Sequence, residues 1–459
     1  MPDIDQQHRA PLWSWAEIAQ ALTGERISGP DITGVTIDSR QVKPGDLFIA
    51  LHGDPGPRFN PGQRSTIDGH DFVQAAADAG AAGALVHRSR ENLPAPGRFP
   101  LLRVQDTYDG LWDLGRAARR RLTGPVIAIT GSSGKTTAKT FLAHALGAYA
   151  PPGSFNNHIG VPLSLANAPS DTHCGVFEIG TNHPGEILPL ATMVNAQVSM
   201  VLNVHQAHIE NFKNLLELKA EKTTIFNPLS DKSNAISEDE IGLDYGLTFG
   251  VTPSADARIS DLQGDRATIR FDGKTWTARV PGMGLHRAKT VAATLLTCHL
   301  VRQNPQLACE LPPDLVPTGR GNRETIGAIT LIDDSYNANP GSMRAALESF
   351  AAREKTHHKV AVVGEMLELG AEAHEAHMSL LPLLKSMERV ICVGQGTQAI
   401  AEVLGASWFE VADTNTLSAI AQATEGRGAI LVKGSNRVFW ANNFVQQLRD
   451  VLHASVQST

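Results

Sequence analysis

Cysteine is scarce in this 459-residue sequence, which has four: Cys174, Cys298, Cys309 and Cys392. They lie far apart, and no two have the spacing of zinc ligands or of a disulfide scaffold. Buried free thiols are expected. Aromatic residues are sparse at 5%, but hydrophobic residues at 42% suffice for ordinary cores. No run approaches the ~20 apolar residues of a membrane-spanning helix. The opening MPDIDQQHRAPLWSW lacks a basic stretch followed by an apolar one. No secretory signal is expected, and the protein is predicted to be cytoplasmic. Positive charge is in deficit too. The net charge is −7, which argues against a general nucleic-acid binder. The basic cluster of Arg116, Arg119, Arg120 and Arg121 ends a helix-like stretch. It is read as a solvated helix end, where cations are favoured.

What is present is alternation. The length suggests about three domains. Residues 1–122 mix short strands (DLFIAL, GALVH) with short helices such as WSWAEIAQAL, around a Gly/Pro-rich loop at 52–71. Residues 123–317 open with VIAIT, a β-branched run without polar interruption, as in a strand buried on both faces of a parallel sheet. GVFEIG and VSMVLNV repeat that texture. ATIRFDGKTWTARV then alternates about Asp272-Gly273, predicting an antiparallel hairpin. Residues 318–459 alternate strands (ITLIDDS, KVAVVG, RVICVG, AILVKGS) with helical stretches, predicting a doubly wound, Rossmann-like sheet. The fold class is therefore α/β. It comprises a small α/β domain, a central parallel-sheet domain with a phosphate loop and a small antiparallel element, and a doubly wound C-terminal domain.

The chemistry concentrates in a few stretches. Gly131, Ser132, Ser133, Gly134, Lys135, Thr136 and Thr137 spell a G-x-x-G-K-T-T loop between the VIAIT strand and a helix predicted to start near Lys135. Glycines let backbone N–H groups approach phosphate, and the helix N-terminus adds donors and a positive dipole end. Lys135 can neutralise β/γ-phosphates and the Thr136 hydroxyl can bind Mg²⁺. Glu178 ends a buried strand, where a carboxylate serves as a metal ligand or as a cap for the next helix. His205 and His208 follow another buried strand, and hydrogen-bonded structural histidines are the default there. In LIDDSYNANPGSM, the carboxylates Asp333 and Asp334 and the amides Asn337 and Asn339 could bind ribose hydroxyls, and Tyr336 could stack on a base. Turn and helix-cap chemistry explains the same residues equally well.

Together these stretches resemble the Mur ligase family. TGSSGKTT, GSFNNHIGVPLSL, FEIGTNHPGEI, DDSYNANPGSM and GEMLELG carry the resemblance, with GVTIDSRQVKPGDLFIAL and DGHDFV in the first segment. It runs across nearly the whole chain. It is strongest to the branch that adds D-alanyl-D-alanine to UDP-N-acetylmuramoyl-tripeptide in peptidoglycan precursor synthesis. The resemblance implies ATP as co-substrate, two Mg²⁺ ions and a monomer. It implies that residues 131–137 and Lys135 cradle the phosphates. Thr136, Glu178, His208 and a carbamylated Lys222 would hold the metals. Arg320 would reach the γ-phosphate. Asp334, Tyr336 and Asn339 would lie at the nucleotide, with Ser39 and Arg40 at the uridine-diphosphate end. Arg320 and Lys135 fall in different segments, so closure about a hinge near Pro317–Gly321 is expected to complete the site.

The sequence also departs from the family. In GLHRAKTVAA, Arg287 and Thr290 stand where the family has asparagines, Thr224 replaces a glutamate after Lys222, and 227–250 matches poorly. A sister amide ligase with another amine or acid substrate is one alternative. A catalytically weakened nucleotide-binding homologue is the other. Retention of Lys135, Glu178, His208 and Lys222 argues against the second.

Overall fold

The computed structural model describes residues 10–24, 27–53, 66–93, 97, 99–206, 209–354 and 358–457. His208 falls outside them, as do residues 54–65 of the expected loop. The chain forms two compact units. The first is Met1–Ala128, Ala148–Thr181 and Gly185–Gln197; the second is Ile129–Gly147, Asn182–Pro184 and Val198–Thr459.

The first unit contains a parallel sheet of β1 (Gly34–Thr36), β2 (Asp46–Ile49), β3 (Gly83–His87) and β4 (Leu101–Val104), in that spatial order. Phe48, Ala84 and Val86 pack with Val73 and Ala76 of the helix Val73–Asp78. The alternate residues Leu47, Ile49 and Leu85 are buried as well, so both faces are covered. The helix Thr107–Arg121 follows, capped by Asp106, whose carboxylate accepts from the N–H groups of Tyr108 and Asp109.

The basic end of that helix is only partly solvated. Arg116 and Arg120 are exposed. Arg119 instead turns inward and donates to the carbonyls of Leu122, Val194 and Asn195. Arg121 stacks 3.4 Å over the Trp13 ring. Here the cations serve by satisfying carbonyls that helix ends leave unpaired. All four cysteines are buried and free, as expected.

β5 (Val126–Thr130) is buried at every residue, and β6 (Gly175–Glu178) neighbours it and ends on buried Glu178. In the second unit β7 (Val198–Val201), β8 (Ala235–Glu238), β9 (Leu247–Gly250) and β10 (Ala257–Gln263) run parallel. Two antiparallel strands complete that edge, β11 (Arg266–Phe271) and β12 (Lys274–Arg279). Asp272 and Gly273 between them have φ of 51° and 69°, the left-handed pair of a tight hairpin turn.

The last sheet contains β13 (Asn322–Ile326), β14 (Ala328–Asp334), β15 (Lys359–Gly364), β16 (Arg389–Val393), β17 (Ser407–Phe409) and β18 (Arg427–Lys433). Its order is β13-β14-β18-β15-β16-β17, parallel except for β13 against β14. Along β15, Val360 and Val362 join a cluster with Ile420 and Leu448, while Ala361 and Val363 join another with Met343 and Leu347. Helices thus cover both faces, which is the doubly wound arrangement the alternation predicted. β14 and β18 end as register partners, Asp334 opposite Lys433. That end is where ligands bind in such sheets. No helix among the described residues is long and apolar enough to cross a membrane.

Candidate functional site

The loop after β5 takes its shape from two glycines. Gly131 has φ 150°, and Gly134, at the start of the helix Lys135–Leu146, has φ 81°. A Cβ at Gly131 would lie 3.0 Å from the Leu202 Cβ. Both positions therefore favour glycine. The first intrahelical bond runs from the Ala138 N–H to the Gly134 carbonyl. The loop thus leads straight into the helix N-terminus, whose positive dipole end faces it and is the anion-binding feature. The Lys135 Nζ curls back to donate to the Gly131 carbonyl at 2.8 Å, which holds its ammonium over the loop. Thr136 and Thr137 are buried in the first helical turn.

Residues just after β7 hold this loop in place. The Asn203 carbonyl accepts from Ser132 N–H at 3.1 Å, and its Oδ1 accepts from Ser133 N–H at 2.9 Å. The Ser132 hydroxyl donates to the His205 carbonyl at 2.8 Å and accepts the His205 N–H at 2.9 Å. Neither Asn203 nor His205 was expected in this role. Polar residues at the end of a buried strand were the available signal.

The Tyr-Asn-Ala-Asn-Pro turn meets the same loop. Asn339 caps the helix Pro340–Arg353, its Oδ1 accepting from Ser342 N–H at 2.9 Å. Its Nδ2 donates to the Ser132 carbonyl at 3.2 Å. The cap reading and the site reading are thus both satisfied by one amide. Gly341 lies against His205, where a Cβ would come within 2.6 Å of the ring. The Arg320 guanidinium stands 3.9 Å over the Tyr336 ring, and Tyr336 meets Trp440 edge-on at 5.3 Å.

Asp334 pairs with Lys433 at 2.8 Å, and the Lys433 Nζ also donates to the Asn337 carbonyl at 3.0 Å. Lys433 is 3% exposed and was missed from sequence. A lone lysine closing the apolar run AILVKGS was the signal. Lys433→Met should destabilise the fold by about 1–3 kcal/mol, the scale for losing a charged hydrogen bond. It should raise the nucleotide KM more than it changes kcat. Thermal denaturation and steady-state kinetics check the two effects.

Lys222, on the helix Leu215–Thr223, is 2% exposed. Burial and then the positive charge of Lys135 pull its pKa down to about 7, with Glu221 opposing. The sequence-predicted residues Lys135, Thr136, Lys222, Arg320, Asp334, Tyr336 and Asn339 all belong to the second unit.

Others lie elsewhere. Glu178 belongs to the first unit, where it is 1% exposed and its Oε2 accepts from the Ser154 hydroxyl at 3.2 Å. Ser39 and Arg40 form a short turn capped by Asp38. Arg40 forks onto Asp38 at 2.9 and 2.8 Å, and that pairing holds the carboxyl below its usual range. His208 lies outside the described residues.

One close group of metal-binding side chains exists among the described residues: His52, Asp68 and His70, with ligand atoms within 4.8 Å. Both His70 nitrogens are already used, by Asp68 at 2.6 Å and by the His87 N–H at 2.9 Å. Arg90 also bonds Asp68. We read this cluster as a hydrogen-bonded support for its loop.

The departures at the helix Leu285–Leu300 also have definite places. The Thr290 hydroxyl turns back onto its own helix, donating to the His286 carbonyl at 3.1 Å. Arg287 is 5% exposed, and its Nη2 donates to the Arg320 carbonyl. Burial lowers the Arg287 pKa to about 10; the Asp334 charge raises it and the Arg320 charge lowers it.

A phosphate loop between a buried strand and a helix, with a doubly wound sheet whose aromatic and basic turn reaches that loop, defines a P-loop nucleotide-binding α/β protein. Three family models match along the chain: the Mur ligase family catalytic domain at 31–106, the Mur ligase middle domain at 129–297, and the Mur ligase glutamate ligase domain at 319–436. The chain belongs to the Mur ligase family.

Among its relatives, the UDP-N-acetylmuramoyl-tripeptide–D-alanyl-D-alanine ligase of Escherichia coli is 31% identical over 420 residues, covering 85% of this chain and 88% of that protein. The enzyme of the same name from Rickettsia prowazekii is 29% identical over 454 residues, covering 93% and 98%. The crystal structure of MurF from Acinetobacter baumannii superposes with a TM-score of 0.79 at 25% identity, covering 96% of this chain and 100% of the other. MurF from Thermotoga maritima in complex with ADP shares the fold, with a TM-score of 0.76 at 24% identity over 92% and 98% of the chains.

Proposed function

We propose that this chain joins D-alanyl-D-alanine to UDP-N-acetylmuramoyl-tripeptide in an ATP-driven reaction, in the cytoplasm and as a monomer. The observation that carries the reading is the Asn339 bond to Ser132, which brings the Tyr-Asn-Ala-Asn-Pro turn onto the phosphate loop. Names and lengths of the relatives support the substrate pair. The division at 122/123 and 317/318 is part of the same reading.

The tripeptide's terminal carboxylate is a poor electrophile. One of its oxygens attacks the γ-phosphorus, the bond to the β–γ bridging oxygen breaks, and ADP leaves. The amine of D-alanyl-D-alanine then adds to the acyl phosphate carbonyl and loses a proton. Collapse of the tetrahedral adduct expels phosphate and leaves the amide. Two anions must meet in the first step, so fixed positive charge is required. Lys135 and the positive end of the helix Lys135–Leu146 supply it over the β- and γ-phosphates. Arg320, stacked on Tyr336, supplies it from the opposite segment, and Asp334 and Tyr336 face the nucleoside. Ser39 and Arg40 are assigned to the uridine diphosphate.

The donors available suit Mg²⁺, which takes hard oxygen ligands. The Thr136 hydroxyl is one, and Glu178 is a buried carboxylate at a strand end. The assignment of Glu178, and of His208 to a second ion, rests on the resemblance. When bound, Mg²⁺ would offset the charge between the β- and γ-phosphates. A carbamate on Lys222 would turn a buried cation into an oxygen ligand.

Mixing the protein with Mg-ATP, UDP-N-acetylmuramoyl-tripeptide and D-alanyl-D-alanine should release one phosphate per pentapeptide formed. Phosphate release only with another amine would point to a sister ligase. Nucleotide binding without turnover on any acceptor would reject the enzymatic reading.

A further inference from the structure

Arg287, read from the sequence as a departure from the family, has a structural use. Arg287 sits in the first turn of the helix Leu285–Leu300, between two glycines. A Cβ at Gly282 would lie 2.8 Å from its Nε, and one at Gly321 would lie 3.0 Å from its Nη2. Both glycines have positive φ, 69° and 88°. The two glycines thus leave room for the guanidinium, and a side chain at either position would crowd it. In that seat its Nη2 donates to the backbone carbonyl of Arg320.

The remaining bonds of the 317–322 loop run elsewhere. Arg320 N–H goes to the Pro317 carbonyl at 3.1 Å and Gly321 N–H to the Asp333 carbonyl at 2.7 Å. Tyr336 N–H returns to the Gly319 carbonyl at 2.9 Å, and the Asn322 amide donates to the Val316 carbonyl at 2.9 Å. Each of these ties the loop to itself or to the end of β14. Among the described residues, the Arg287 bond alone links the loop to the helix Leu285–Leu300. The side chain of Arg320 meanwhile stacks on Tyr336, whose own backbone is bonded to the loop.

We propose that Arg287 is a positioning residue for Arg320: it ties the 317–321 loop to the helix Leu285–Leu300 and so sets where the Arg320 guanidinium is presented. The inference rests on the reading of Arg320 as a phosphate ligand. An asparagine is too short to fill this seat and reach the carbonyl. Arg287 Nη1 is buried without a partner, so the residue is not held there by its full hydrogen-bonding capacity.

The test uses the full-length enzyme carrying R287M, R287K, R320M and the R287M/R320M double. Hydrogen exchange of the peptide spanning 318–322 should speed up by about tenfold or more in R287M, the size expected when one local tie is lost. It should stay near wild type in R287K, which keeps a donor. Phosphate-release kcat should fall in R287M and in R320M, with the double close to R320M alone, since coupled residues are not additive. Unchanged exchange in R287M, or losses that multiply in the double, would overturn the proposal. If R320M keeps wild-type turnover, the proposal falls for a different reason. Lost protection in R287M would then show a real tie to a loop that is not the phosphate ligand.

Discussion

Lys135→Ala should lower kcat for phosphate release by at least ~10²-fold, the scale for removing one preorganised charge from developing negative charge. That corresponds to about 2.7 kcal/mol of barrier. The fold should survive. The loop is held by Asn203 and His205 through bonds that do not involve Lys135. The melting temperature should therefore move little while turnover collapses, which separates a catalytic loss from an unfolding one. The substitution has a second consequence. The Lys135 charge is one of the causes that lower the Lys222 pKa. Without it the Lys222 amine would be more fully protonated near neutrality. Added bicarbonate should therefore do little for this mutant. A Lys135→Ala enzyme within threefold of wild type would remove the phosphate-loop assignment.

The same bonds show why part of the site was legible in sequence and part was not. The phosphate loop is contiguous, so its strand, glycines, lysine and helix announce themselves together. β5 and β15 were read to the residue because VIAIT and KVAVVG are unbroken buried runs. β8, β9, β13 and β17 were not, being three to five residues long and carrying polar residues. The stretch EAHMSLLPLLKSM forms two helices, Ala373–Met378 and Leu381–Leu384, with Pro382 in the first turn of the second. A proline is tolerated there and not in a helix interior. Asn203, Lys433 and Arg287 act across long sequence separations, so nothing local to each reveals its partner. A rule did exist for two of them. Glu178 was singled out because it is polar and closes an apolar strand. The same criterion applied to β7 and β18 selects Asn203 and Lys433. No such criterion selects Arg287, whose seat depends on two distant glycines.

Lys222→Ala should lose at least ~10² in kcat, again the scale of one essential charge at the reacting phosphate, and should regain part of it with formate, acetate or propionate. The reasoning starts from burial. An ammonium with 2% exposure beside another lysine is costly to keep charged. A pKa pulled to about 7 leaves a large neutral fraction at neutral pH, and the neutral amine is the form that adds CO₂. Nitrogen bonds to the carbon of CO₂, a proton is released, and the product carries a carboxylate. The step releases a proton, so it is favoured as pH rises through 7. Stripping CO₂ should therefore reduce wild-type activity more at pH 6.5 than at pH 8, to be tested under otherwise fixed Mg-ATP. In Lys222→Ala the truncated side chain leaves space where a small carboxylate can sit. Lys222→Gln fills that space and should be rescued poorly by the same acids. Equal rescue of both variants would mean that the acids act elsewhere. Wild-type rates in Lys222→Ala would take this lysine out of the site altogether.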